Sequence, residues 1–80
     1  MAWLEEDAGL PPRVAFAIGR RVGGAVVRNR LRRRLRALAR GSALPGGVWL
    51  VSGSPGAGEA TFAELQRWWD SAVSRLVERT

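Results

Sequence analysis

The sequence predicts a small α/β protein, an α+β sandwich in which two helices pack on a short sheet. Three observations predict it: two short apolar runs of strand length, an arginine-rich segment with leucines at helical spacing, and a second helical pattern that a capping box opens. Strands and helices that alternate along a chain typically form such a layered arrangement. A chain of 80 residues is expected to fold as a single domain, residues 1–80.

The first strand of the pattern covers residues 13–19, where large and small apolar residues alternate. Val14, Phe16 and Ile18 share one face, which is the periodicity of a strand. Residues 1–12 are predicted to be the remnant of a strand followed by a loop, and Pro11 and Pro12 end that loop.

Residues 25–40 are predicted to form a helix that Gly41 ends. Its apolar positions fall within an arc of roughly 80° at about 100° per residue, and Arg30 and Arg34 flank this stripe, where their aliphatic stems can lie along the edge of the core. The apolar positions are Val27, Leu31, Leu35 and Leu38. The opposite side carries Arg28, Asn29, Arg32, Arg33, Arg36 and Arg40.

The second half of the chain adds a strand over 48–52 and a helix over 62–79. The strand is a continuous apolar run, typical of a strand that is buried on both faces. Thr61 and Glu64 have the spacing of a capping box, which places the start of the helix. Its buried stripe is predicted to contain Phe62, Leu65, Trp69, Ala72, Val73 and Leu76.

The loop 53–58 has two outer glycines with the spacing of a phosphate-binding P-loop. Such a loop continues with Lys and then Ser or Thr, whereas this chain has Glu59 and Ala60. A carboxylate at that point would repel phosphate, so we interpret the loop as a flexible turn.

The positive charge is concentrated in one part of the chain. All 13 basic residues are arginines, the net charge is +6, and ten of the arginines lie between Arg13 and Arg40 without a single acid among them. Arginines three and four residues apart on one helix face repel each other, and a merely solvated face would interleave glutamate with them. The pattern therefore predicts a polyanion as partner, for which the planar, forked guanidinium is well suited.

Catalytic chemistry is not expected from this protein. The sequence contains no cysteine and no histidine, which removes disulfides, thiolate metal sites and the usual general base. The acids show no paired spacing that suggests a metal site. No apolar run approaches the roughly 18 residues that span a membrane, and the first residues do not resemble a signal peptide. We expect a cytoplasmic protein without catalytic residues.

Residues 20–36 read RRVGGAVVRNRLRRRLR, and this stretch resembles the signature of the bacterial ribonuclease P protein. That signature has a basic pair, Gly-Asn-Ala-Val, Arg-Asn-Arg, an aliphatic residue and further basic residues. The preceding strand, the later Pro-Gly turn, the apolar strand and the Phe-x-x-Leu opening of the last helix also fit. The resemblance covers residues 13 to about 77, with Gly24 in place of the usual Asn.

The resemblance implies a ribonuclease P protein-like fold: a ribosomal-protein-S5-domain-2-like sheet with a left-handed βαβ crossover. The family's N-terminal helix and first strand are expected to be largely missing. The function implied is that of a non-catalytic subunit of ribonuclease P, an endoribonuclease that removes the 5′ leader of precursor tRNA. The RNA subunit and its Mg²⁺ ions carry the chemistry, and the protein alone binds no cofactor.

The implied partners are the ribonuclease P RNA subunit and precursor tRNA, with neither a membrane nor DNA expected. Phe16, which the pattern leaves open between core and cleft, is a possible contact of the leader. Asn29 is open between capping, a tolerated surface position, and RNA contact or the positioning of a neighbouring arginine. The RNA-binding residues are predicted to be Arg20, Arg21, Arg28, Asn29, Arg30, Arg32, Arg33 and Arg36.

Two other interpretations remain at this point. One is a structural ribosomal-type RNA-binding protein with no link to an endonuclease. The other is a basic amphipathic helix for acidic membranes or a protein partner. The apolar stripe of residues 25–40 contains neither Trp nor Phe and is needed for the core, which argues against the membrane.

Overall fold

The computed structural model describes residues 1–6 and 9–78. Residues 7 and 8 of the predicted N-terminal loop and residue 79 of the predicted last helix lie outside the described residues. Three strands and two α-helices are described: β1 (Ala2–Glu5), β2 (Arg13–Ala17), α1 (Ala25–Gly41), β3 (Gly47–Ser52) and α2 (Phe62–Glu78). Short 3-10 turns at Arg20–Val22 and Ala57–Glu59 precede α1 and α2.

The strands form one sheet in the order β1-β3-β2. β2 and β3 are parallel neighbours, with Phe16 opposite Val51, and α1 connects them. The predicted N-terminal remnant forms a strand of four residues that pairs antiparallel to β3, with Ala2 opposite Leu50. The α+β arrangement is therefore confirmed, while the hand of the crossover stays a prediction.

The helices cover only one face of this sheet. Trp49 and Val51 of β3 are completely buried. Val51 belongs to the core formed with α1 and α2, and Trp49, two residues earlier, lies on the same face of the sheet. Leu50, on the other face, is 44% exposed, and Leu4 of β1 is 68% exposed. The prediction that β3 is buried on both faces was wrong, because both helices lie on the same side.

The core is built from the apolar stripes of the two helices against the covered sheet face. Leu31, Leu35 and Leu38 of α1 are buried, as the periodicity predicted, and so is Trp69 of α2, with 1% of its surface exposed. The prediction that Phe62 belongs to the buried stripe was wrong, because 43% of its surface is exposed. It is the first residue of α2 and borders a groove together with Arg30, Arg33, Arg34 and Ala37 of α1.

The turn before β3 is held by two tryptophans. The Trp3 and Trp49 rings are stacked, with centroids 4.9 Å apart and an angle of 12° between their planes. Their indole N–H groups donate to the carbonyl oxygens of Gly46 and Pro45, at 3.1 and 3.0 Å. A side chain at Gly47, whose φ is +131°, would overlap the Trp3 indole and a β1 carbonyl. The residue must therefore be glycine for β1 to pair.

Ser42 joins the end of α1 to α2. Its hydroxyl donates to the Leu38 carbonyl oxygen at 2.7 Å and accepts the indole N–H of Trp69 at 2.8 Å. A buried indole N–H without an acceptor costs free energy, so this serine satisfies the one polar atom that Trp69 brings into the core.

Replacing this serine, Ser42→Ala, should lower the free energy of unfolding by about 1–3 kcal/mol, since the buried Trp69 N–H loses its acceptor. Urea denaturation measures the change. Ser74→Ala, at an exposed position on α2, is the matched control and should change stability by less than about 0.5 kcal/mol. Equal effects of the two substitutions would contradict the structural role of Ser42.

The predicted capping box opens α2. The Glu64 backbone N–H donates to the Thr61 hydroxyl at 3.1 Å, and the Thr61 backbone N–H donates to the Glu64 carboxylate at 3.0 Å. These hydrogen bonds, first of all that from the Thr61 backbone, lower the pKa of Glu64 below its ordinary value of 4.5, and the nearby Arg67 acts in the same direction.

The lowered pKa of Glu64 makes its contribution to the free energy of unfolding dependent on pH. Because the folded-state pKa lies below the unfolded value, the contribution is complete above pH 4.5 and is lost as the pH falls through the folded-state pKa. The unaltered chain should therefore be more stable than Glu64→Gln at neutral pH, and this difference should shrink in acid. Urea denaturation of both from about pH 7 to about pH 3 tests it. A difference that stays constant would be inconsistent with titration of Glu64.

Candidate nucleic-acid interface

The outward side of α1 is a surface of arginines, which we call the arginine face: Arg32, Arg33, Arg36 and Arg40, with Asn29 between them. The buried leucine stripe fixes the rotation of the helix, so these residues are turned away from the sheet. Gly24 occupies the position before the helix and provides no side-chain cap. The face is therefore positioned by packing rather than by local capping.

Arg30 and Arg34 lie on the flank that faces the second 3-10 turn. The guanidinium of Arg34 donates to the Ala60 carbonyl oxygen at 3.1 Å, and that of Arg30 donates to the Gly58 carbonyl oxygen at 3.4 Å. Part of their donor capacity is thus used within the protein. Arg34 is half-buried and Arg30 is exposed, and the packing of their aliphatic stems along the edge of the core stays a prediction.

The glycine spacing of the loop 53–58 is explained by close packing. A side chain at Gly58 would overlap Val27 of α1, and one at Gly53 would press on Val22 and Leu31. The two glycines let the loop close onto α1, which brings the Gly58 carbonyl within reach of Arg30.

Arg28 and Arg32 differ from the expectation of a fully outward basic side, because both are half-buried, whereas Asn29 is exposed. The Nε of Arg28 is buried without a hydrogen-bond partner in the described part of the chain. Asn29 is exposed in the second turn of α1, so it does not cap the helix; its side-chain oxygen accepts a hydrogen bond from Arg32 at 3.3 Å. Asn29 therefore orients one arginine of the face.

Phe16 lies on the helix-covered side of the sheet, partly buried against the core. The guanidinium carbon of Arg36 is 5.8 Å from the centre of its ring, a cation–π contact. The ring supports the Arg36 guanidinium from one side, while the N–H donors of Arg36 stay available. A groove of about 640 Å³ opens beside it, lined by Val26, Asn29, Arg32, Arg33 and Arg36.

Arg20 and Arg21 lie in the 3-10 turn that connects β2 to α1, and both are exposed. Val22, the last residue of that turn, is buried and anchors it to the core. The predicted binding arginines therefore lie in two consecutive segments, the 3-10 turn and α1, which together connect β2 to β3.

The charge of this surface is not compensated. Within residues 1–6 and 9–78, the ion pair observed is that of Arg13 with Glu6 at 2.6 Å, outside α1. The same residues contain no group of His, Cys, Asp and Glu that could hold a metal ion, and neither helix is long and apolar enough to cross a membrane. Such a surface can bind phosphate groups through charge-assisted hydrogen bonds.

Sequence reasoning missed Phe62 as a surface residue. Its ring borders a second, smaller groove of about 260 Å³ together with Arg30, Arg33, Arg34 and Ala37. The helical periodicity placed it in the buried stripe, and no signal in the sequence separates it from that stripe.

The ribonuclease P family model matches residues 1–77 of the chain. The chain is 48% identical over 73 residues to the ribonuclease P protein component of Beutenbergia cavernae, covering 88% of this chain and 61% of that protein. For the ribonuclease P protein component of Streptomyces bikiniensis, the identity is 50% over 74 residues, covering 89% and 60%. No solved structure matches the chain.

The match to the ribonuclease P protein component of Thermus scotoductus is shorter, with 53% identity over 53 residues, which are 66% of this chain and 33% of that protein. The chain thus spans about three fifths of the length of the relatives from Beutenbergia cavernae and Streptomyces bikiniensis. The match includes the N-terminal residues that the motif alone did not cover, and with the Arg-Asn-Arg helix at its centre the chain belongs to the ribonuclease P protein family.

Proposed function

We propose that this chain acts as the protein subunit of ribonuclease P, binding the catalytic RNA and assisting removal of the 5′ leader from precursor tRNA. The observation that carries the proposal is the uncompensated arginine face of α1, presented by a helix whose other side is buried. The names of the relatives support it, and no observation favours a ribosomal-type structural protein.

The protein's contribution is electrostatic. Phosphate groups that approach each other in a folded RNA repel, and bound guanidinium groups reduce that repulsion while releasing counterions. The hydrolysis itself belongs to the RNA and its Mg²⁺ ions, since this chain has no histidine or cysteine to act as base or nucleophile. The protein alone needs no cofactor, and it acts in the cytoplasm without DNA or a membrane.

Two surfaces divide the work in this proposal. The RNA subunit is contacted by one asparagine and five arginines of α1: Arg28, Asn29, Arg30, Arg32, Arg33 and Arg36. Arg20 and Arg21 lie between the RNA subunit and the leader, and Phe16 is the leader contact in this proposal. The Phe16 ring also contacts Arg36 of the surface that faces the RNA subunit.

Cleavage of precursor tRNA tests the proposal. The chain alone should produce no cleavage, and its addition to the purified RNA subunit should raise the cleavage rate at low Mg²⁺ concentration, because it replaces part of the Mg²⁺ that screens phosphate. The assay follows the release of a labelled 5′ leader. Multiple turnover by RNA-free protein, or no effect on the RNA subunit at any Mg²⁺ concentration, would contradict the proposal.

The salt dependence of RNA binding identifies the contact surface. With about five to seven phosphate contacts, log Kd plotted against log salt should give a slope of roughly 4 to 6. The double variant Arg33→Ala/Arg36→Ala removes two contacts and should lower that slope by about 1.4–1.8 while the fold persists, because both side chains are exposed.

The matched control is Arg67→Ala/Arg75→Ala, which removes the same charge from exposed positions on α2. It should leave the slope almost unchanged. Equal changes for the two double variants would mean that net charge, and not the arginine face, determines RNA affinity.

A further inference from the structure

Phe62 is an exposed aromatic residue at the edge of the arginine face. Among the described residues, Phe62 and Trp68 are the exposed aromatic side chains, with 43% and 36% of their surface accessible. Phenylalanine is usually buried, and here the ring borders a groove of about 260 Å³ whose other walls are Arg30, Arg33, Arg34 and Ala37. The groove combines an apolar ring with cations and contains no acid.

The position of this ring relative to α1 is fixed from two sides. The capping box of Thr61 and Glu64 sets the start of α2, immediately at Phe62. The guanidinium groups of Arg30 and Arg34 hold the carbonyl oxygens of Gly58 and Ala60, in the segment that leads to it. The ring and the α1 surface are therefore ordered together before any ligand arrives.

Arg33 differs from Arg30 and Arg34, its neighbours in the groove, in its hydrogen bonding. It is exposed and makes no hydrogen bond or ion pair with the described residues, whereas Arg30 and Arg34 each donate to a backbone carbonyl. Its forked donors are available for a phosphate. Ala37, one turn further along α1, has a small side chain that leaves the space above Phe62 open.

We propose that Phe62 and Arg33 form a binding site for an unpaired nucleotide of the structured RNA partner. The base stacks on the Phe62 ring, and the phosphate of the same nucleotide, or of the next, meets Arg33. Stacking of bases on aromatic side chains beside a basic surface is the usual way in which proteins hold unpaired RNA. This inference rests on the proposed function and adds a base contact to its phosphate contacts.

The test compares RNA affinity for Phe62→Leu and Phe62→Tyr in the complete chain at one salt concentration, using the ribonuclease P RNA subunit as ligand. Loss of one stacked base weakens binding roughly 5- to 150-fold, which corresponds to about 1–3 kcal/mol. Phe62→Leu should show that loss, and Phe62→Tyr should restore binding because it keeps a ring. The salt slope should be the same for both, since stacking releases no counterions.

Trp68→Leu is the matched control, because it removes a similarly exposed ring from the same helix. The grooves that Trp68 borders include no arginine of α1, so its replacement should leave RNA affinity unchanged. Thermal melting of each variant establishes that the fold is retained.

The inference is overturned if Phe62→Leu binds as tightly as the unaltered chain, if Phe62→Tyr is as weak as Phe62→Leu, or if Trp68→Leu loses as much affinity. In each case an arginine-dependent salt slope for the unaltered chain would leave the proposed function intact. Absence of RNA binding by the unaltered chain would overturn both.

Discussion

The burial of one side of α1 is the constraint on which the rest of the structure depends. Leu31, Leu35 and Leu38 pack between the sheet and α2, and they fix both the axis of the helix and its rotation. Because side chains three and four residues apart lie on one face, this packing also decides which arginines point outward. The same three leucines therefore hold the core together and orient the arginine face.

The outward position of the arginines places like charges close together on α1. Their repulsion destabilises the helix, and the packing of the core must offset it. The described part of the chain offers no acid to the arginines of α1, and their guanidinium groups are steadied by backbone carbonyls, by the Asn29 side chain and by the Phe16 ring instead. Neutral partners hold an arginine in place without cancelling its charge. The surface thus remains attractive to phosphate while its geometry is partly ordered in advance.

The small size of the protein explains why so many contacts serve two purposes. Small domains bury a modest fraction of their surface and have little stability to spare. Trp69 fills the core and, through Ser42, ties the end of α1 to α2. Gly58 lets the loop pack on α1 and offers a carbonyl to Arg30. A substitution at such a position is expected to affect both stability and the presentation of the arginine face.

The sequence by itself determined the two helices, the strand pair around α1, the capping box of Thr61 and Glu64, and the outward position of Arg33 and Arg36. Each follows from local periodicity, from a short-range hydrogen-bond pattern or from an uncompensated charge. Only the tertiary structure decided that both helices cover the same sheet face, which leaves Leu50 exposed, and that Phe62 lies beside the arginines rather than in the core. Periodicity records which residues share a face, but which neighbour covers that face depends on contacts between segments far apart in the chain.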